Sequence, residues 1–374
     1  MKSTAFPFNW SAWKRYGFLI GLTTLTLPLQ SWLHMERSQS EAYAWLPLFI
    51  IFGVVPLLDW IIGSDRHNPE PEAFKPLEQD RWYTLLLLSV VPLQLALIFW
   101  GVGLYASPEL SLWGKLGWML SMGAVLSTAG ITVAHELVHR KSPLESNAGG
   151  LLLASVCLGS FKVEHVRGHH QYVGTPEDAS SAPLGRTVYS CILSAILSNF
   201  FKAWELEAQR LAKNGRSAWH WSNEVLGWSL ASGGLLFLLI QQHGVWGGLG
   251  FLGQSLVATS LLEVVNYVEH YGLQRRALGN GRYEPVSAAH SWNSSALLTN
   301  LLLFHLQRHS DHHLYARRPY QVLRNHEASP QLPFGYGTMV PLALIPPLWF
   351  WIMNPRVEAV MQKHHATHPL PEAV

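Results

Sequence analysis

Charge is scarce in this chain. Asp, Glu, Lys and Arg together make up 13% of its 374 residues, against roughly 25% in an ordinary soluble domain. Cysteine is almost missing. Cys157 and Cys191 are the only two and form no C-x-x-C pair, which excludes a disulfide framework and a four-cysteine iron or zinc centre. Both read as small buried or half-buried residues. Surplus positive charge is missing too. The formal net charge is +2, with no basic arm, so no nucleic acid is expected as a partner. No small-residue cleavage site precedes the first apolar run, so no cleaved signal peptide is expected. Internal repeats and low-complexity tracts are absent.

What is present is apolar length. Hydrophobic residues reach 49%, with 17 Trp and 12 Tyr, a composition that fits a membrane protein with interfacial aromatics. Runs at about 16–33, 43–63, 83–104, 112–134, 225–242 and 246–271 each approach the roughly 20 residues that cross a bilayer core. The expected fold is therefore an all-α integral membrane protein of one domain, 1–374, with six transmembrane helices. Histidine-bearing regions 135–224 and 272–374 form a helical cap on the cytoplasmic side. Residues 187–210 read as an amphipathic helix at the interface. The run 339–353 is short and carries three prolines, so it reads as re-entrant or interfacial. Lys2, Lys14, Arg15, Arg66, Lys75 and Arg81 lie on one set of loops and only Arg37 on the other. Positive-inside bias then places both termini and all histidine boxes in the cytoplasm.

Nineteen histidines are more than such a protein needs. They cluster: His135 and His139; His165, His169 and His170; His270; His309, His312 and His313. Positions i, i+3 and i+4 share a helix face, and neutral imidazole is the commonest metal-ligating side chain. Nine nitrogens exceed what one ion holds, so two metals are expected. Ligand type does not by itself select iron over copper, zinc or nickel. Glu136, Glu164, Glu263, Glu269, Asp178 and Asp311 stand beside the boxes as candidates to orient the rings, as do His290 and His305. His34, His67, His220, His243, His326, His364, His365 and His368 read as solvated loop or tail residues. His135–His139 also fits H-E-x-x-H, the zinc protease pattern, but that reading leaves the other boxes unused. A metal transporter would place ionisable ligands within the spans, and the first three spans hold almost none.

The motifs HELVHR (135–140), EHVRGHH (164–170), NYVEHYG (266–272) and LQRHSDHH (306–313) resemble those of the membrane-bound alkane 1-monooxygenases, within the wider fatty-acid desaturase/hydroxylase group. The likeness extends to ARRPYQVL, NGRYEP, HSWNS and VVPLLDWIIG. It implies a non-haem diiron centre held by the nine histidines in a multi-pass protein of the bacterial inner membrane. It implies hydroxylation of the terminal methyl of medium- to long-chain n-alkanes with O2. Electrons would come from NAD(P)H through a separate rubredoxin reductase and rubredoxin, since this chain lacks the cysteines of a fused one. The boxes and IPPLWF (345–350) also resemble enzymes that oxidise the methyl groups of alkylbenzenes, and fatty-acyl hydroxylases or desaturases are a further alternative. Attack on a terminal carbon needs a narrow dry tunnel. Its walls are expected at 48–55 and 126–131, with Ile51, Val55, Leu126 and Ile131 setting chain length. Arg275, Arg276, Arg317 and Arg318 are expected to attract an acidic redox partner.

Overall fold

The computed structural model describes residues 10–367. Lys2 and His368 lie outside them. Four helical stretches are long and apolar enough to cross a membrane: α1 (Glu41–Ile62), α2 (Arg81–Ala106), α3 (Leu112–Val138) and, after the shorter α4 (Val188–Ala212), α5 (Glu224–His270). A fifth is available if Tyr336–Ala343 and α6 (Pro346–Thr367) are taken as one bent unit, since they meet at 120°. The expected first span, 16–33, is instead a relay of short helices, Trp10–Gly17, Ile20–Thr23, Thr24–Thr26 and Leu27–Ser38. Thr23 and Thr26 turn their hydroxyls onto the carbonyls of Ile20 and Thr23. Pro28 has no N–H to give, and such local bonds compete with the helical ladder.

Side-chain oxygens mark where the long helices begin. Asp80, Ser111, Thr187 and Asn223 each accept a backbone N–H of the first turn, covering donors that the helix itself leaves unpaired. Helix α5 is two helices folded back on each other. At Gly244 φ is +65°, a backbone setting that glycine adopts without Cβ strain. Gly247 then lies against the Leu239 carbonyl and Gly248 against Ile240 and Leu236. A straight helix would hold those pairs about 12–18 Å apart.

The bundle has two distinct ends. At one, Lys14 pairs with Asp65, and Arg308 approaches the same carboxylate at 3.6 Å. At the other, Glu41 accepts the Ser111 backbone N–H at 2.7 Å. There too Lys115 donates to the carbonyls of Tyr105 and Ser107 at 2.7 and 2.8 Å, closing the C-terminal turn of α2. The histidines gather at the Lys14–Asp65 end.

Two π-turns adjoin that end, at Leu126–Ile131 inside α3 and at His165–His169. The first is braced by Gln94, fully buried in α2, whose amide donates to Ser155 Oγ at 2.7 Å. Gln94 rests so closely on Gly130 that any Cβ there would overlap it. Cys191 is buried as expected, whereas Cys157 is exposed, because it turns through φ +56° after the helix Pro143–Ala154.

Candidate metal centre

Four elements deliver the nine histidines. His135 and His139 leave the last turns of α3, His270 ends α5, His165–His170 ride the π-turn, and His309, His312 and His313 sit on the short helix His309–Leu314. All are buried except His170, which is half-buried. They form two groups. His135, His139, His165, His170 and His312 bring one ring nitrogen each to within 4.8 Å of one another; His169, His270, His309 and His313 do the same. The two three-histidine boxes are thus divided between the groups, whereas His135 and His139 serve one. The π-turn is the reason. It closes i→i+5 hydrogen bonds, and the His170 N–H reaches the His165 carbonyl. His165 and His170 therefore align, Nε2 to Nε2 at 3.1 Å, while His169 points to the other group. The last box also splits, His309 and His313 to one group and His312 to the other, so its three rings do not share a target.

This donor set fits metal ions. In the second group the Nε2 atoms of His270 and His313 stand 3.0 and 2.9 Å from His309 Nε2. The buried Nε2 atoms of His135, His139, His169 and His312 have no hydrogen-bond partner. A neutral imidazole has one N–H and one lone pair, so converging nitrogens cannot all satisfy each other, whereas a divalent cation satisfies every lone pair. Burial pushes His165, His170, His309, His312 and His313 well below the ordinary histidine range, which keeps them neutral and ready to ligate.

His169 differs. Burial opposes its charge, but Asp178, beside it, outweighs burial and raises it to about 9. The Nδ1–H donates to Asp178 Oδ2 at 2.9 Å, and Ser181 Oγ donates to the same oxygen at 2.6 Å. Because this value lies above the ordinary one near 6.5, the proton stabilises the metal-free fold below pH 6.5 and is lost as pH rises through about 9. Metal must displace that proton. Uptake of a divalent metal ion by the metal-free protein is therefore expected to tighten by about tenfold per pH unit between about pH 7 and 8.5, levelling off above about 9. Titration monitored by metal-dependent absorbance checks this.

The predicted carboxylates play unequal parts. Asp178 holds His169. Glu269 Oε2 lies 3.2 Å from His309 Nε2, among the converging nitrogens, while its Oε1 accepts the Tyr336 hydroxyl at 2.9 Å. The four-histidine group therefore has a fifth donor at hand. Glu263 accepts from Asn266 and Asn199 at 3.1 and 3.4 Å and reaches His169 only through Ser180 and Asp178. Glu164 accepts the His169 backbone N–H, and burial lifts it to about 8. Glu136 and Asp311 bond elsewhere: Glu136 to Arg140 at 2.7 Å, Asp311 to Arg318 at 2.5 Å and to His326 at 2.7 Å. They anchor the covering loops instead of a ligand ring, and His326, half-exposed, is tied to Asp311. His305 Nδ1–H donates to the Tyr320 carbonyl at 2.9 Å. His270 Nδ1 meets the His290 carbonyl at 3.3 Å, so His290 acts through its backbone.

His364 overturns the expectation of a solvated tail residue: it is buried beside Glu284 and His290. Of the four arginines expected to face a partner, Arg276 is paired with Glu284 at 2.7 Å and Arg318 with Asp311. Arg275 donates to the carbonyls of Glu284 and Gln171, which leaves Arg317 exposed. Tyr336, Ser181 and Asn199 were not anticipated. Only Ser181 left a trace in the sequence, three residues after Asp178, the spacing of a side-chain-capped turn.

A cavity of about 250 Å³ opens between the helices. Ile51, Val55, Ile131, Leu262 and Val340 line it, and it reaches His135 and Glu269, one from each group. Leu126 is buried but lies outside the lining.

Residues 110–343 match the fatty acid desaturase family model. Alkane 1-monooxygenase 2 of Pseudomonas aeruginosa is 51% identical over 93% of this chain and 94% of its own length. Alkane 1-monooxygenase 1 of the same organism is 49% identical over 94% and 93%. Alkane 1-monooxygenase 2 of Alcanivorax borkumensis is 44% identical over 92% and 91%.

Proposed function

This chain belongs to the alkane 1-monooxygenase family, and we propose that it hydroxylates the terminal methyl of medium- to long-chain n-alkanes to 1-alkanols. The observation that carries this reading is the aliphatic cavity that ends on His135 and Glu269. An unactivated C–H bond offers no proton to remove and no carbonyl to polarise, so acid–base chemistry cannot attack it. Bound iron supplies the oxidative chemistry with O2 that such a bond requires. The chain's own part is position and exclusion. His135, His139, His165, His170 and His312 hold one iron; His169, His270, His309 and His313, with Glu269 beside them, hold the other. Ile51, Val55, Ile131 and Val340 keep the substrate dry and admit it end-on. Asp178 fixes the His169 ring with Nε2 turned inward, and the His290 carbonyl does the same for His270.

The setting follows from the substrate. Each CH2 favours an apolar phase by about 0.8 kcal/mol, so an alkane is already concentrated in lipid. Six membrane passages are supported by the two ends of the bundle. Residues 10–38 run from the Lys14–Asp65 end to the Glu41 end, α1, α2 and α3 each run between them, and α5 doubles back at Gly244. Exposed Tyr189, Leu193, Leu197 and Phe201 on α4 suit a helix lying in the interface. The histidine end then faces the cytoplasm of a bacterium, where rubredoxin delivers electrons.

Purified enzyme, rubredoxin, its reductase and NADH, offered a mixture of n-alkanes and alkylbenzenes, are expected to yield 1-alkanols by mass spectrometry. Benzylic alcohols with no 1-alkanols would move the assignment to the alkylbenzene class.

A further inference from the structure

Outside the two histidine groups, one more buried cluster of titratable side chains has no part in the chemistry above. Glu284, His290 and His364 bring their polar atoms together in a closed space. Glu284 is held by Arg276, whose Nη2 and Nε donate to Oε2 at 2.7 and 2.9 Å and whose backbone N–H donates to Oε1 at 2.9 Å. His290 Nε2 lies 3.3 Å from Glu284 Oε1. His364 Nε2 lies 3.4 Å from each carboxylate oxygen.

Three such residues resemble a metal site, but the hydrogen bonds argue otherwise. The Ser287 backbone N–H donates to His290 Nδ1 at 3.0 Å. That nitrogen therefore carries the lone pair, and the proton sits on Nε2, which lies 3.3 Å from Glu284 Oε1 without the alignment of a hydrogen bond. His290 offers the cluster a donor rather than a ligand, and the guanidinium of Arg276 already neutralises the carboxylate.

What the cluster holds is a turn next to the metal centre. The His290 carbonyl meets His270 Nδ1 at 3.3 Å. Ser310, next to His309, donates to the carbonyls of Ala288 and Ser291 at 3.0 and 2.9 Å. The turn thus touches one ligand, His270, and the residue next to a second, His309, of the same group. His364 arrives from the far end of α6, which is packed along the end of α5. Trp349 lies on Tyr267 at 5.2 Å between ring centroids, Asn354 accepts the Tyr271 hydroxyl at 2.6 Å, and Val357 fills the space over Gly272.

We propose that Glu284, His290 and His364 form a metal-free clamp through which α6 positions His270, making His364 a positioning residue for the four-histidine iron. The clamp keeps the His290 carbonyl aimed at His270 Nδ1, and so keeps His270 Nε2 aimed at the metal. Loss of an orienting partner of this kind costs about 10–100-fold in metal affinity.

The test uses full-length enzyme in detergent, iron-loaded, as wild type, His364→Ala, His364→Gln and His365→Ala. His365 is the exposed neighbour. Iron release to a chelator and the Mössbauer spectrum are read alongside turnover. The inference rests on the two-iron reading, which the wild-type iron content tests independently of the variants. His364→Ala is expected to release one iron about 10–100-fold faster and to lose one of two spectral components. His364→Gln, which keeps an N–H for the carboxylate, is expected to recover most of the retention, and His365→Ala to match wild type. Equal leakage of both irons, no change in His364→Ala, or no recovery in His364→Gln would overturn the clamp. So would a third metal equivalent in wild type that His364→Ala lacks.

Discussion

His313→Ala protein is expected to carry about one iron per chain and to turn over no alkane, while His312→Ala loses turnover yet keeps most of its iron. The difference follows from the uneven groups. Removing His313 leaves three imidazoles for one ion, with a fourth donor only in Glu269, which also accepts the Tyr336 hydroxyl; removing His312 leaves four imidazoles for the other. Binding free energy falls with each lost ligand, so the smaller group empties first. Activity falls in both because the cavity touches His135 of one group and Glu269 of the other. Iron analysis beside a turnover assay decides the matter, with exposed His365→Ala as the unaffected control. Equal iron loss in the two variants would dissolve the division into two groups.

Ile51→Trp is expected to cut the longest accepted alkane sharply. Ile51 sits on the π-turn Ile50–Val54 with its side chain on the cavity wall. Each CH2 left outside forfeits about 0.8 kcal/mol, close to fourfold in kcat/KM. A ring that excludes three of them lowers the specificity constant for long substrates about 60-fold. Short alkanes are spared, and Ile51→Ala moves the optimum the other way. Leu126→Ala supplies the contrast. It is expected to cost about 2–5 kcal/mol of stability as a core cavity and to leave the chain-length profile unmoved. Competition among mixed alkanes, followed by gas chromatography, reads both. An unchanged profile in Ile51→Trp would mean that substrate enters by another route.

The nine histidines were legible because helical spacing is local: two residues four apart are neighbours on any α-helix. Their division into five and four was not, because it depends on a π-turn, and nothing in EHVRGHH distinguishes an i+4 from an i+5 alignment. Long apolar runs announced α1, α2, α3 and both halves of α5. The run 16–33 broke into short helices because its threonines bond backwards to the chain, a competition that hydropathy does not record. His364 was read as tail because its partner Glu284 is 80 positions away, a pairing that only the fold of α6 onto α5 creates. The arginines at 275, 276 and 318 looked like a surface for a partner; the loops they fasten consume them.

The π-turn at His165–His169 has one more consequence. It differs from an α-turn by a single extra residue. Were the same residues to close as an α-turn, His169 at i+4 would stand under His165 in place of His170, and the second group would lose a ligand without any histidine being mutated. A shift of hydrogen-bond register that leaves every motif residue present can therefore cost the four-histidine group a ligand. The same six-residue segment supplies rings to both histidine groups, so whatever fixes its backbone for one bound ion would already have met part of the ordering entropy for the next. Loading of the two ions is thereby linked through one short piece of main chain.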